Sequence, residues 1–370
     1  MPPGIAHAGA AAATSYFRDR SSTVWINGPR WDLSWLVGTA LVVPLGLAVI
    51  AMGAPGDAVN LWVTVLVGGP HLFATFLATY MDPKFRRAHW PALVAVTLLV
   101  PAAVVAMTFW DFQVLMSFFI FAASLHVLQQ NAYLSDVYRR RAGVPEPAWS
   151  RWVDYGLLFA SFYPCAAYKL VRDDFRLGRI RILIPDIVHS ELTWQATSVA
   201  FTALLAVWIA KSAAEHRRGV LNGPKTLLIA VNTVVAFSVP AAAGGDKLEL
   251  AFQTVNAWHS IQYLAIVWIV LQMRRDSGMQ ESRLVARLTA PGRRAFPFFG
   301  VLVGATLALV AAISLMIRLD PFGLSHDQYH YMGVLSPLFI HYALDTYLFF
   351  AATHGAARAD EIPLAAPAAA

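Results

Sequence analysis

Four histidines in long apolar stretches are the residues whose type and setting point most directly to chemistry. They stand in the segments GGPHLFATF, SLHVLQQN, NAWHSIQYL and FIHYALDTY, and they are His71, His126, His259 and His341. Imidazole nitrogens bind first-row transition metals, and ionisable side chains inside a bilayer are costly and mark functional sites. These four histidines are therefore the predicted ligands of a metal ion.

Polar side chains accompany each histidine at a spacing of about one helical turn. Residues three or four positions apart share a face of a helix. The companions on these faces are Thr75, Gln129, Gln130, Asn131, Asn256, Gln262 and Asp345. A metal-bound imidazole needs an acceptor on its other nitrogen. We therefore predict that Asp345, Gln130 and Gln262 orient the imidazoles or ligate directly.

Four tyrosines in the same apolar stretches are further candidates to line the site. They are Tyr133, Tyr263, Tyr342 and Tyr347, and Tyr263 follows His259 by four residues. Packing between helices with a satisfied hydroxyl explains each of them equally well. Interhelical hydrogen bonding is likewise the alternative explanation for the polar companions and for any single buried histidine.

The donor types limit the metal. Nitrogen-rich sites with a carboxylate and no thiolate suit iron, zinc or copper. The chain has a single cysteine, Cys165, which excludes an intramolecular disulfide framework or a cysteine-based cluster. A membrane-buried site that is open to lipid-soluble substrates favours non-haem iron (Fe²⁺) over zinc and copper.

The elements that must position these residues are membrane-spanning helices. Of the 370 residues, 58% are hydrophobic and only 14% are charged, whereas soluble proteins carry about 25% charged residues. We predict an all-α, polytopic membrane helix bundle, a single domain over 31–355 between a flexible lead-in, 1–30, and a disordered tail, 356–370. The predicted spans are 32–52, 58–80, 90–109, 112–136, 152–171, 192–212, 225–243, 247–273, 297–317 and 329–353.

The distribution of positive charge supports ten spans with both termini cytoplasmic. In that arrangement 21 of the 28 lysines and arginines fall in inside segments, as the positive-inside rule requires. The same rule explains the net charge of +6 without nucleic acid. We expect a bacterial-type inner (plasma) membrane protein. The short link at Trp110 and Asp111 leaves open that the spans beside it form a re-entrant pair.

The charge pattern also indicates the depth of the four histidines. All four lie on even-numbered spans, which run in the same direction. The first strong cation follows them after 13, 13, 15 and 17 residues, at Lys84, Arg139, Arg274 and Arg358. At 1.5 Å per residue that spread is about 6 Å, or one helical turn. The four imidazoles are therefore predicted to share one layer of the bundle.

Three of the four segments resemble a known family. The segments around His71, His126 and His259 are similar to those of the Brp/Blh-type membrane dioxygenases, which cleave β-carotene to retinal with histidine-bound iron. Where that family continues its first segment with Asp and His, this chain has Thr75 and Phe76, and Tyr263 replaces a second histidine of the third segment. The resemblance implies iron ligation by His71, His126 and His259. His341 and Asp345 are our candidates for the ligands that are missing from the family pattern.

Three classes of function fit this pattern. The first is a membrane oxidoreductase or oxygenase with a non-haem metal that acts on a lipid or isoprenoid, with membrane lipids and a redox protein as expected partners. The second is a b-type haem electron carrier with two axial imidazoles. The third is a transporter or proton relay that uses the His/Asp cluster. The residues 326–330 and His354 have no assigned role.

Overall fold

The computed structural model describes residues 24–172, 176–177, 180–242, 248–276, 278, 281–290, 295–346 and 348. The predicted tail at 356–370, nearly all of the lead-in at 1–30, Tyr347 and His354 lie outside these residues. The described chain is an all-α helical bundle, apart from one two-stranded antiparallel hairpin.

Eight helices of the described chain are long and apolar enough to cross a membrane, and they indicate an integral membrane protein. They are α1 (Pro29–Ala51), α2 (Gly56–Ala78), α3 (Pro83–Trp110), α4 (Phe112–Ala142), α7 (Glu191–Arg217), α8 (Gly223–Ala242), α9 (Leu248–Asp276) and α11 (Phe296–Leu319). Each overlaps a predicted span.

The remaining elements are shorter or more polar. They are α5 (Ala148–Ala160), α6 (Tyr163–Arg172), β1 (Arg176–Leu177), β2 (Ile180–Arg181), a 3₁₀ turn (Asp186–Val188), α10 (Arg283–Leu288) and α12 (His326–Asp345). Helix α12 overlaps the tenth predicted span, 329–353, but is not one of the eight helices above. Ser325 caps α12 with a capping box that includes Gln328, which satisfies otherwise unpaired N–H groups of the first turn.

The predicted span 152–171 is not one continuous helix. The chain forms α5 and α6 instead, with a break at Ser161 and Phe162. Pro164 explains the break, because proline lacks an N–H and its ring clashes with the carbonyl four residues earlier. The apolar run in the sequence continues across this position, and hydropathy therefore predicts one helix where the chain forms two.

The short link at Asp111 joins two full-length helices. Helix α3 has 28 residues with a kink at His89, and α4 has 31; at 1.5 Å per residue, residues 90–110 of α3 correspond to about 32 Å and α4 to about 46 Å. Both exceed the roughly 30 Å hydrocarbon core of a bilayer. These lengths favour two complete crossings over a re-entrant pair.

Helix α2 changes its winding just before His71. Residues Thr64–Gly68 form a π-helical turn, and a regular α-helix resumes at Gly69 with Pro70 in its first turn. π-turns inside α-helices are rare and occur frequently at functional sites. The wider turn sets the direction in which the Gly69–Ala78 segment presents His71 and Thr75.

Close packing holds this segment in place. The described contacts of α2 include α9, α11 and α12. Gly69 of α2 lies against Thr306 of α11, and Gly333 of α12 lies against Ile313, also of α11. At both glycines an added Cβ would collide with the α11 side chain. Small residues that let backbones approach are typical of membrane helix interfaces. Helix α11 therefore acts as a backing for both α2 and α12.

A layer of buried charges joins the ends of four other helices. Asp154 of α5 accepts hydrogen bonds from Arg139 of α4 at 2.9 Å and from Lys211 of α7 at 2.5 Å, and Lys225 of α8 lies 3.0 Å away. Glu146 also contacts Lys225. Buried charges need partners of opposite sign, so this layer fixes α4, α5, α7 and α8 relative to one another.

Candidate metal centre

Four helices bring the four deep imidazoles into contact. His71 comes from α2, His126 from α4, His259 from α9 and His341 from α12. The ring centre of His71 lies 4.4 Å from that of His341, 4.8 Å from that of His259 and 6.1 Å from that of His126. His126 lies 5.0 Å from His259 and 4.8 Å from His341. The four rings therefore converge in the bundle interior.

Asp345 joins this group from one turn further along α12. One ligand atom each from His71, His126, His341 and Asp345 lie within 4.8 Å of one another. Two donors that share a metal ion at about 2.1 Å lie at most about 4.2 Å apart. The ligand atoms would therefore have to move by about an ångström or less to bind the same ion. All four side chains are buried, with at most 6% of each residue exposed.

The atoms that would bind metal have no hydrogen-bonding partner in the described part of the chain. These atoms are Nε2 of His71, His126 and His341 and Oδ2 of Asp345. His126 Nε2 and Asp345 Oδ2 lie 3.8 Å apart. Unpartnered polar atoms in a membrane interior cost several kcal/mol each. A cation bound among these four residues would satisfy such atoms.

His259 stands at the side of this set. Both of its ring nitrogens lack a hydrogen-bonding partner in the described chain, and the residue is 1% exposed. Its ring contacts those of His71 and His126 edge to face. It belongs to the same cavity, but the most compact ligand set consists of three histidines and Asp345.

The Thr75 hydroxyl determines which nitrogen of His341 faces the cluster. Thr75 donates its one hydroxyl hydrogen to Asp345 Oδ1 at 3.1 Å, and its oxygen lies 2.6 Å from His341 Nδ1. The contact of Thr75 with Nδ1 leaves Nε2 as the ring nitrogen of His341 that has no hydrogen-bonding partner in the described chain. Nε2 is therefore the atom through which His341 would bind a metal.

Tyr263 completes the same network. Its hydroxyl donates to Asp345 Oδ1 at 2.6 Å and lies 2.5 Å from the Thr75 oxygen. The ring centre of Tyr263 is 4.5 Å from that of His71. Two donors on Oδ1 leave Oδ2 as the open oxygen of Asp345. Ser260 makes an equivalent contact with His71, with 3.2 Å between Oγ and Nδ1.

The two glutamines lie next to the cluster in a different role. Gln130 Nε2 donates to the backbone oxygen of His259 at 3.2 Å and to Gln262 Oε1 at 3.0 Å. Gln262 Nε2 donates to the backbone oxygen of Leu36 at 2.5 Å. These described hydrogen bonds tie α4, α9 and α1 together. They bind backbone and amide groups rather than imidazole nitrogens.

The other tyrosines divide between the site and the surrounding core. Tyr342 stacks on His126, with 4.2 Å between ring centres. Tyr133 packs in an apolar cluster with Leu134 and Leu228. His326 and His330 at the start of α12 are exposed and stack on each other at 6.5 Å, away from the deep cluster.

The sequence identifies the histidines, Asp345 and Tyr263, but not the contacts that connect them. It indicates Thr75 only as a helix-face companion of His71, and it gives no signal for Ser260. Thr75 and Tyr263 are 188 residues apart, and Thr75 and His341 are 266 apart. Spacing within one helix cannot reveal pairs that form between helices.

Comparison with known proteins adds no relative to this description. The chain matches no protein-family model, no curated protein and no solved structure.

Proposed function

We propose that the chain is an integral membrane oxidoreductase with a non-haem metal ion, iron in the first place, that acts on a lipophilic substrate such as a lipid or isoprenoid. One observation carries the proposal: one ligand atom each of His71, His126, His341 and Asp345 lie within 4.8 Å of one another, and Nε2 of the three histidines and Oδ2 of Asp345 have no hydrogen-bonding partner in the described chain. His71, His126, His341 and Asp345 would hold the ion, with His259 beside them.

The donor chemistry fits iron. Three imidazoles and one carboxylate form a nitrogen- and oxygen-rich set without thiolate, which suits iron, zinc and copper, and iron adds redox chemistry. When bound, such an ion supplies Lewis acidity and activation of dioxygen or substrate. The residues of this chain orient it: Thr75 and Ser260 hold His341 and His71 by Nδ1, and Tyr263 holds Asp345.

The surroundings favour a lipophilic substrate. The cluster is buried among helices that are apolar enough to cross a membrane. Lipid tails and isoprenoids reach such a site without leaving the apolar phase, whereas a polar substrate would have to be desolvated. The Tyr342 ring on His126 offers an apolar, flat contact next to the proposed ligands.

The distribution of positive charge supports a proposed orientation in the membrane. We propose a bacterial-type inner membrane with both termini cytoplasmic, ten spans, and a redox protein as partner on the cytoplasmic side. The proposed relationship to the Brp/Blh-type dioxygenases is distant, because Thr75, Phe76 and Tyr263 stand where that family has acidic or histidine residues.

The geometry makes haem a weaker candidate than a single ion. A porphyrin between two of these imidazoles would have to displace the other two, whose ring centres lie within about 5 Å. A transport relay needs polar groups spread across the membrane, whereas these residues cluster.

An absorption spectrum together with metal analysis of purified protein tests the proposal. We expect iron without a Soret band in the wild-type protein, and a lower iron content in His341→Ala. A Soret band would favour the haem carrier. A folded protein without bound transition metal, together with transport activity that His259→Ala abolishes, would favour the relay.

A further inference from the structure

A second set of unpartnered polar atoms begins next to the metal cluster and follows α4 away from it. Gln130 Oε1, Asn131 Oδ1 and Ser135 Oγ have no hydrogen-bonding partner within the described chain. The residues are 2%, 0% and 0% exposed. Asn131 and Ser135 are four residues apart and share one face of α4.

Helix α8 brings another such atom to the same level. The two helices are antiparallel, because Asn222, just before α8, donates to the Tyr138 backbone oxygen at 2.9 Å, and Ile229 packs with Ala132. Ten residues after Asn222 comes Asn232, which is level with about residue 128 of α4. Asn232 Nδ2 also lacks a partner in the described chain, and the residue is 2% exposed.

The spacing of these groups fits water rather than direct contact. Asn131 and Ser135 are about 6 Å apart along the helix axis. A direct hydrogen bond spans about 2.9 Å, and one bridging water spans about twice that. Buried waters in proteins make about three hydrogen bonds to polar groups that would otherwise be unpaired. A column of single waters would satisfy this set at nearly its observed spacing.

Further polar groups lie near both ends of the set. At one end, Gln130 contacts the backbone of His259 and the amide of Gln262. At the other end, one turn beyond Ser135, the Tyr138 hydroxyl donates to Asp32 Oδ2 at 2.9 Å. The whole distance from His126 to Tyr138 is about 18 Å along α4.

We propose that a column of bound water runs between α4 and α8 and links the metal cluster to the Asp32–Tyr138 pair. It would deliver water and protons to the cluster from the end of α4 that carries Arg139, Arg140 and Arg141. Its role in delivery rests on the proposed function, whereas the presence of the water does not.

Radiolytic hydroxyl labelling with mass spectrometry tests the column, because the radicals form from water at the side chain that they modify. The full-length protein in nanodiscs is used in its metal-free form. Leu134 and Leu335 are both 0% exposed; Leu134 precedes Ser135 on α4, whereas Leu335 lies on α12 in a different apolar cluster. We expect Leu134 to be modified at least about tenfold faster than Leu335. Equal protection of both leucines would overturn the proposal.

A double variant, Asn131→Leu with Ser135→Ala, supplies the second arm. It removes two polar groups of the column, so labelling of Leu134 should fall to the level of Leu335. Thr108→Val is the matched control, because the Thr108 hydroxyl is buried but bonded to the Val104 backbone oxygen at 2.8 Å. Unchanged labelling of Leu134 in a folded double variant would contradict the proposal. Metal analysis is a separate measurement, so absence of metal would leave this result intact.

Discussion

At the scale of single residues, one hydroxyl group determines much of the candidate site. The Thr75 oxygen lies within hydrogen-bonding distance of Tyr263, His341 and Asp345. It contacts Nδ1 of His341, and with Tyr263 it occupies one oxygen of Asp345. The atoms that remain without a described partner are Nε2 of His71, His126 and His341 and Oδ2 of Asp345.

The Tyr263→Phe variant tests this network. It removes a 2.6 Å hydrogen bond to a buried carboxylate, so we expect a loss of about 1–3 kcal/mol of stability. Removal of a group that orients a ligand also lowers metal affinity by about 10–100-fold. Thermal unfolding and metal titration of the purified variant measure the two effects.

Tyr80→Phe is the control for that variant. The Tyr80 hydroxyl lies 2.6 Å from the Thr97 hydroxyl. Neither residue takes part in the described hydrogen bonds of the metal cluster. We expect unchanged metal affinity and a smaller change in unfolding temperature. Equal effects of the two substitutions on metal affinity would show that Tyr263 does not orient Asp345.

At this scale the sequence predicted the ligand types but not their connections. Histidines in apolar spans were visible because such residues are costly there. The pairing of Thr75 with His341 depends on how α2 and α12 are rotated against each other, and helical periodicity within either segment does not contain that information.

At the scale of helices, the sequence predicted more. Long apolar runs and the alternation of positive charge located the helices that carry the four histidines, because a bilayer imposes both features. The break between α5 and α6 was missed, although Pro164 marks it. The π-turn before His71 has no signal in hydropathy, since it arises from the fit of α2 against its neighbours.

The contact between α2 and α11 can be tested at Gly69. An alanine there would collide with the Thr306 side chain, so Gly69→Ala should push α2 outward, lower the unfolding temperature and reduce the metal content. Overpacking in a dense core costs about 1–3 kcal/mol. Thermal unfolding and metal analysis of the variant measure these losses.

Gly304→Ala on α11 is the matched control, because nothing lies within 4 Å of the added Cβ. It should leave both quantities unchanged. In addition, Thr306→Ala should relieve part of the defect of Gly69→Ala, since it removes the colliding atoms. A Gly69→Ala protein with normal stability and metal content would refute the close contact.

At the scale of the whole molecule, the charged layer ties one end of the bundle together and predicts a pH dependence. Partial burial opposes ionisation of Glu146, but hydrogen bonds and positive charge from Lys225 and Arg139 outweigh it and lower the pKa of this carboxyl to about 2. An unfolded glutamate has a pKa of about 4.3. The ionised carboxylate therefore contributes stability above pH 4.3, and this contribution is lost as the pH falls towards 2.

Glu146→Gln removes that contribution. We expect the variant to unfold at a lower temperature than the wild type at pH 7, and the gap between them to narrow as the pH is lowered towards 3. Thermal unfolding at a series of pH values measures the gap. Glu281→Gln breaks an exposed pair with Arg87 and should change little. A gap for Glu146→Gln that is constant with pH would refute the assignment.

The central claim is that the cluster formed by His71, His126, His341 and Asp345 binds one metal ion. Metal content per chain, measured for purified wild type and for single alanine variants of these residues, tests it most directly. We expect one ion per chain in the wild type and a large loss of bound metal in each variant. Replacement of the exposed pair His326 and His330 by alanine should leave the metal content unchanged. Folded variants of the buried cluster that still carry one ion per chain, or a metal-free wild-type protein that cannot be loaded with iron, zinc or copper, would contradict it.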